Sequence, residues 1–312
     1  MKNMLGAVCA AVLATAALPA SAQNIGVAVS NFDDNFLTLL RESMSESAKA
    51  AGATLQFEDA QRDVGRQLSQ IENFVATGVD GIIIAPIDSD STVPMTLAAE
   101  NAGIPVVYVN NSPVNLKELP EKQVFVGSVE YEAGELQAQE ICRQLQAAGK
   151  TEANAVILLG DLSNQATRLR TQAVKDVFAK PECSFIKIGD EQTATWQRTQ
   201  AADLMSNWLT AGQKPDAVIA NNDEMAIGAV QALKAAGVDM TTVVVGGIDA
   251  TPDAVAAVAS GDLDVTVLQS APGQGKGAVD AILSLIKGDA VPHENYVPFE
   301  LVTPENYKNY MK

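Results

Sequence analysis

The chain is 312 residues long, carries a formal net charge of −17, and contains a single histidine. So acidic a surface repels phosphate backbones and anionic lipid heads, which argues against nucleic acid or a membrane surface as partner. Apolar content is high and aromatics are few, as in α/β proteins rich in Ala and Val.

Residues 1–22 read as an export signal rather than as part of the fold. Lys2 gives a short basic start, Met4–Ala20 is apolar, and Ala20-Ser21-Ala22 supplies the small residues a signal peptidase requires, so cleavage is expected before Gln23. The apolar stretch is short for a bilayer span and ends in a cleavage site instead of a stop-transfer pattern. Cys9 lies within it, with Val8 before it, which does not fit a lipoprotein anchor. Removing this segment takes away Lys2 and no acid, so −17 becomes −18, and 312 less 22 leaves 290 residues. A chain of that length favours two lobes over one core.

From Asn24 onward two signals alternate. Ile25–Val29, Gly81–Ala85 and Pro105–Val109 are β-branched runs continuous enough to be strands buried on both faces. Between them lie apolar residues at helical spacing: Phe36, Leu39, Leu40 and Met44, then Leu68, Ile71, Phe74 and Val75, then a third helix through Leu97 and Ala98. Gly52, Gly78 and Gly103 close these helices. The alternation restarts with helices expected over Glu132–Ala148, Thr167–Ala179, Thr199–Leu209 and Asp223–Ala236, and strands over Ala155–Leu159, Phe185–Ile188 and Ala217–Ala220. Val243–Gly247, Asp253–Ser260, Val265–Leu268 and Gly275–Lys287 continue the series. The pattern predicts an α/β protein of two doubly wound parallel-sheet lobes.

Ligands of such sheets bind at the carboxyl ends of strands. Those ends hold Asp34, Asn110, Asn111, Asn222, Asp249 and Gln269, with Arg170 and Trp196 nearby. Carboxylates and amides can each engage two adjacent hydroxyls, arginine adds a rigid donor fork, and aromatic faces cover the C–H patches of a sugar ring. Taken singly, each Asn or Asp also reads as a helix N-cap. Cys142 and Cys183 are either a disulfide or two buried small hydrophobes, and their spacing fits neither a zinc site nor a CxxC redox pair.

Five stretches then resemble one family. Ile25–Arg41 (IGVAVSNFDDNFLTLLR), Pro105–Asn110 (PVVYVN), Ala194–Leu209 (ATWQRTQAADLMSNWL), Ala220–Lys234 (ANNDEMAIGAVQALK) and Gly247–Asp253 (GIDATPD) resemble bacterial periplasmic galactose/glucose- and ribose-binding proteins. The resemblance implies the type I periplasmic binding fold, with a three-strand hinge and a ligand cleft between lobes. The lobes would be discontinuous: residues 23–127 plus 271–296, and 128–270 plus 297–312. It implies ligand contacts from Asp34, Phe36, Asn110, Asn111, Arg170, Trp196, Asn222, Asp249 and Gln269, with Phe36 and Trp196 facing one ring from opposite lobes. It also implies an open form with the lobes apart and a closed form that traps one monosaccharide or cyclic polyol, which ABC transporter permease subunits then receive.

The site mixes two family patterns. The Tyr, His and Asp of glucose/galactose-type sites are missing near Ser30, Asn164 and Ala166. The Asp–Arg pair of ribose-type sites is replaced by Asn110 and Asn111. Hexopyranoses, myo-inositol and ribose all stay open as ligands. The calcium loop of some relatives is absent from Ala147–Ala155, so no metal and no cofactor are expected.

Rival readings are weaker. A carboxylate-pair glycosidase would rest on Asp34 and Asp249. A sugar-responsive repressor would need a helix-turn-helix and a basic face, which this acidic chain lacks. The run Gly273-Gln274-Gly275-Lys276-Gly277-Ala278 imitates a dinucleotide loop but sits near the end of the chain, and is expected to be a tight turn into a helix. A monomer in the periplasm, with a chemoreceptor as a further partner, completes the expectation.

Overall fold

The computed structural model describes residues 22–311. The export signal expected over residues 1–22 lies outside them, apart from Ala22.

The first sheet is built from β1 (Asn24–Val29), β2 (Thr54–Asp59), β3 (Gly81–Ala85), β4 (Val106–Asn110) and β5 (Gln123–Gly127), joined late in the chain by β11 (Glu294–Tyr296). All pairs are parallel, in the order β11-β5-β4-β3-β1-β2. Ile82, Ile83 and Ile84 are wholly buried, because helices cover both faces of their strand. On one face α1 (Asn35–Ala51) and α9 (Ala271–Lys287) contribute Leu40, Met44, Val279 and Ile282. On the other, α2 (Val64–Thr77) and α3 (Thr92–Ala102) contribute Ile71, Phe74 and Met95. Each such side chain contributes about 1.5–3 kcal/mol of gross burial free energy.

The second sheet, in the order β7-β6-β8-β9, is again parallel: β6 (Ala153–Leu159), β7 (Ile186–Thr193), β8 (Ala217–Ala220) and β9 (Val244–Gly246). Around it lie α4 (Glu130–Ala147), α5 (Gln165–Ala179), α6 (Arg198–Thr210), α7 (Asp223–Ala235) and α8 (Pro252–Ser260). β10 (Thr266–Leu268) pairs antiparallel with β12 (Glu300–Val302). Isolated bridges Gly246↔Val265 and Asp249↔Leu268 tie this ribbon to the edge of the second sheet. The chain passes between the sheets three times: after β5, after β10 and after β11. Cys142 on α4 and Cys183 in the α5–β7 connection form a disulfide.

Three local expectations are corrected. The helix expected from Gly275 starts at Ala271, because Ser270 caps it by accepting from the Gly273 amide and Pro272 suits the first turn. The glycine run is therefore helix rather than a turn before one. A β-carbon on Gly275 would come within 2.6 Å of the Ser43 hydroxyl oxygen on α1, so glycine there permits close packing of α9 on α1. The strand expected to end at Ile188 continues to Thr193, bringing the chain up to Trp196.

The lobes are in the closed arrangement. Asn35 donates to Glu224 at 2.7 Å, Arg62 donates to the Thr195 carbonyl at 3.0 Å, and the Gln165 amide donates to the Ser89 hydroxyl at 3.2 Å. Arg168 and Asp90 approach to 3.7 Å. Each of these contacts joins one lobe to the other.

Candidate functional site

The carboxyl ends of both sheets open on one cavity of about 110 Å³ between the lobes. Its wall includes Asp34, Phe36, Asn110 and Asn111 from one lobe and Arg170, Trp196, Asn222, Asp249 and Gln269 from the other. The structure thus brings together all the residues singled out from the sequence. It adds five polar ones that were not: Ser30, Asn31, Arg62, Asp161 and Asn164.

Several of these side chains are also structural. Asp34 caps α1, its Oδ1 accepting from the Leu37 amide at 2.9 Å, and Asn222 caps α7, accepting from the Met225 amide at 3.1 Å. Capping uses one oxygen of each; the second carboxylate oxygen of Asp34 is left to face the cavity, whereas the Asn222 Nδ2 donates to the Trp196 carbonyl at 3.4 Å. Asn111 spends its amide nitrogen on the Pro86 carbonyl at 2.8 Å. Gln269 accepts from Arg170 at 3.3 Å, while its buried Nε2 has no protein partner. A buried amide donor without an acceptor costs about 1–3 kcal/mol, so an acceptor arriving in the cavity recovers that amount.

The C-terminal wall holds a buried charge cluster. Arg170 is 3% exposed. It donates to Glu130 at 2.6 Å and to the Asn221 carbonyl at 2.6 Å, and lies 4.0 Å from Asp249. Burial pushes the Asp249 carboxyl well above the usual range; Arg170 opposes this, and the nearby acids Asp223, Asp34 and Glu130 add to it. Asp34 is raised by burial against the pull of the Leu37 amide and Arg62. Glu130 is raised by burial and held back by the charge and hydrogen bond of Arg170. Behind the wall, Asp223 is fully buried and raised by burial to about 7, although it accepts from the Thr266 hydroxyl at 2.6 Å and the Thr251 amide at 2.8 Å. These bonds anchor the turn that presents Asp249.

The two aromatics are held from behind. Trp196 lies flat on the backbone at Gly160, where a β-carbon would meet its ring at 2.2 Å. The Arg170 guanidinium sits 5.8 Å from the ring centroid. Phe36 anchors in the core beneath α1 and is 6% exposed. Among the described residues, left-handed backbone at non-glycine positions occurs at Gln61, Arg62, Asn110, Thr195, Trp196, Asp249 and Ala250. Four of these line the cavity: Arg62, Asn110, Trp196 and Asp249. Such conformations cost on the order of 1–3 kcal/mol each and persist where the surroundings over-determine them, typically at ligand clamps.

The residues missed have physical reasons. Arg62 follows β2, an edge strand whose sequence TLQFED alternates partly buried with exposed positions and so lacks a continuous apolar run. Without such a run the strand leaves no signal in the sequence, and neither does its carboxyl end. Asn164 caps α5 through the Ala166 amide, and a cap cannot be told from a ligand contact by spacing alone.

A family model described as "Periplasmic binding protein domain" matches residues 25–290. The Rhizobium meliloti protein called "Putative rhizopine-binding protein" is 57% identical over 98% of this chain and 97% of its own length. The ribose import binding protein of Bacillus subtilis is 30% identical over 89% of this chain and 87% of its own. A crystal structure of an ABC transporter solute-binding protein from Bacillus halodurans with bound myo-inositol superimposes with a TM-score of 0.85. It is 39% identical to this chain and covers 92% of it and 96% of its own length. The chain belongs to the periplasmic binding protein family, the two-lobed solute-binding components of ABC importers.

Proposed function

We propose that this protein binds one small polyhydroxylated ring, a cyclic polyol of the inositol kind or a monosaccharide, and delivers it to the permease of an ABC importer. The observation that carries the reading is the cavity itself. Asp34 and Asp249 bring acceptors from opposite lobes, Gln269 offers an unpartnered buried donor, and Phe36 and Trp196 offer apolar faces. Hydroxyls are both donors and acceptors, and a ring also presents C–H faces, so this mixture matches a polyol ring better than an anion or an apolar ligand. The cyclic polyol ranks first, because the Bacillus halodurans relative was crystallised with myo-inositol.

The nine wall residues named from the sequence act as ligand contacts in this reading, and residues 23–127 plus 271–296 and 128–270 plus 297–312 move as two bodies about the three crossings. The protein works as a monomer that follows export through residues 1–22, and binding rather than hydrolysis is its role; a chemoreceptor is a further partner for the closed form. In this reading Asp34 and Asp249 serve as hydrogen-bond partners for ligand hydroxyls rather than as a catalytic acid and base.

A thermal-shift screen over about thirty sugars and polyols tests the ligand class, since a ligand at about 100 times its dissociation constant stabilises by about 2.7 kcal/mol. A rise in Tm with myo-inositol, a related cyclitol or a monosaccharide is expected. A panel in which only anions or amino acids shift Tm contradicts the reading. Release of aryl alcohol from aryl glycosides would contradict the binding role.

A further inference from the structure

Two strained dipeptides, one on each lobe, meet at the rim of the cleft. On the N-terminal lobe Gln61 and Arg62 have φ of 53° and 60°; on the C-terminal lobe Thr195 and Trp196 have φ of 46° and 67°. The Arg62 guanidinium donates to the Thr195 carbonyl at 3.0 Å. Both dipeptides are fastened from behind. The Arg62 amide donates to the Ser30 carbonyl at 2.8 Å and the Gln61 amide to Asp59 at 2.9 Å. The Thr195 hydroxyl donates to Gln200 at 3.0 Å, and the Trp196 carbonyl accepts from Asn222 at 3.4 Å. Consecutive left-handed residues that are not glycine, on both sides of a single contact, point to a contact kept for function.

Arg62 also stands between two spaces. It lines the inner cavity of about 110 Å³ and the open mouth beyond it of about 450 Å³. Asn31, Asp34 and Trp196 are the other residues shared by both. The mouth is polar, with Asp33, Asp59, Arg198 and Glu224 on its walls. A ligand confined to the inner cavity leaves the Arg62–Thr195 contact intact, whereas a substituent pointing past Asp34 must displace it.

We infer that Arg62 is a specificity-determining gate, which closes over a compact ring and selects against rings that carry a bulky substituent toward the mouth. The inference rests on the polyol reading of the cavity. Calorimetric titration of wild type and Arg62→Ala with myo-inositol and with its galactoside, galactinol, tests it, with circular dichroism confirming that the variant is folded. Wild type should prefer myo-inositol by about tenfold or more. Arg62→Ala should bind myo-inositol about fivefold more weakly, as loss of one rim hydrogen bond implies, and its preference over galactinol should shrink toward parity. A folded Arg62→Ala that keeps the wild-type preference overturns the gate. If wild type takes neither compound, the choice of an inositol-like ligand is at fault, and the gate is judged separately. In a Trp208→Phe background, acrylamide should then quench Trp196 more strongly once Arg62 is replaced by alanine, and unchanged quenching overturns the gate.

Discussion

The Nε of Arg170 lies 2.6 Å from Oε2 of Glu130, with 4% and 6% of those side chains exposed. Glu130, the first residue of α4, does not line the cavity; Arg170 does. The pairing aims the remaining guanidinium nitrogens at the Asn221 carbonyl, Gln269 and Asp249, so an acid outside the cavity orients the cation within it.

Removing one partner of a buried pair leaves the other charge uncompensated, a loss of about 3–5 kcal/mol. Glu130→Ala is expected to lower the unfolding free energy read from urea melts by an amount in that range, with a correspondingly lower midpoint, and to weaken ligand binding through a misplaced Arg170. An unchanged midpoint would mean that Arg170 is satisfied without Glu130.

Asp34→Ala and Asp249→Ala should each weaken binding by on the order of 2–4 kcal/mol, since a charge-assisted hydrogen bond is worth roughly 1.5–3 kcal/mol and each acid can make two. The two variants should differ in stability: Asp34 also caps α1, and losing a cap costs about 1 kcal/mol. Calorimetry and thermal melts read the two effects apart. Wild-type affinity in either variant would misplace the ligand.

Acidification from neutral pH should stabilise the fold. Asp223 is raised by burial from 3.8 to about 7, and Asp264 is raised by burial to about 6. A folded-state pKa above the unfolded one gives stability that is full below the unfolded pKa and is lost as pH rises through the folded one. Tm should therefore climb as pH falls from about 7.5 to about 5. Asp190, Asp239 and Asp262 are lowered by hydrogen bonds and act in the opposite direction only at more acid pH. A Tm that falls steadily over the same interval would contradict the burial of Asp223.

The Cys142–Cys183 bond closes a separation of 41 residues. Chain entropy assigns such a loop about 4 kcal/mol of stabilisation. Reduction, or replacement of both cysteines by serine, should lower Tm without altering the ligand contacts, because both residues lie in the core of α4, α5 and β6 and not on the cavity. Weakened binding at a temperature where the reduced protein is still folded would contradict this.

How much was legible in the sequence follows from burial. β1, β3 and β8 are buried along almost their whole length and read as continuous β-branched runs. β2 and β11 are edge strands with exposed positions, and the latter is three residues long, so neither carried a signal. Strand ends locate most of the cavity wall, with Arg170 and Trp196 close to them, and the family resemblance adds Phe36. Glu130 and Arg62 escaped for different reasons: one acts through Arg170 at a sequence distance of 40, the other follows an unrecognised edge strand. Spacing alone leaves a disulfide and two buried thiols both open for Cys142 and Cys183; the fold brings their Cα atoms to 5.7 Å, within the reach of the bond they form.

The central claim, a ring held between the lobes against Trp196, is tested most directly by tryptophan emission during a titration with myo-inositol. The sequence contains two tryptophans. Trp196 lines the cavity; Trp208 is 4% exposed on α6, and its indole N–H donates to Asp190 at 2.7 Å. Binding should shift the emission of wild type and of Trp208→Phe alike. Trp196→Ala should lose most of that signal and bind more weakly by on the order of 1–3 kcal/mol, the worth of an aromatic face. A signal that survives in Trp196→Ala and vanishes in Trp208→Phe would place the ligand elsewhere and contradict the account.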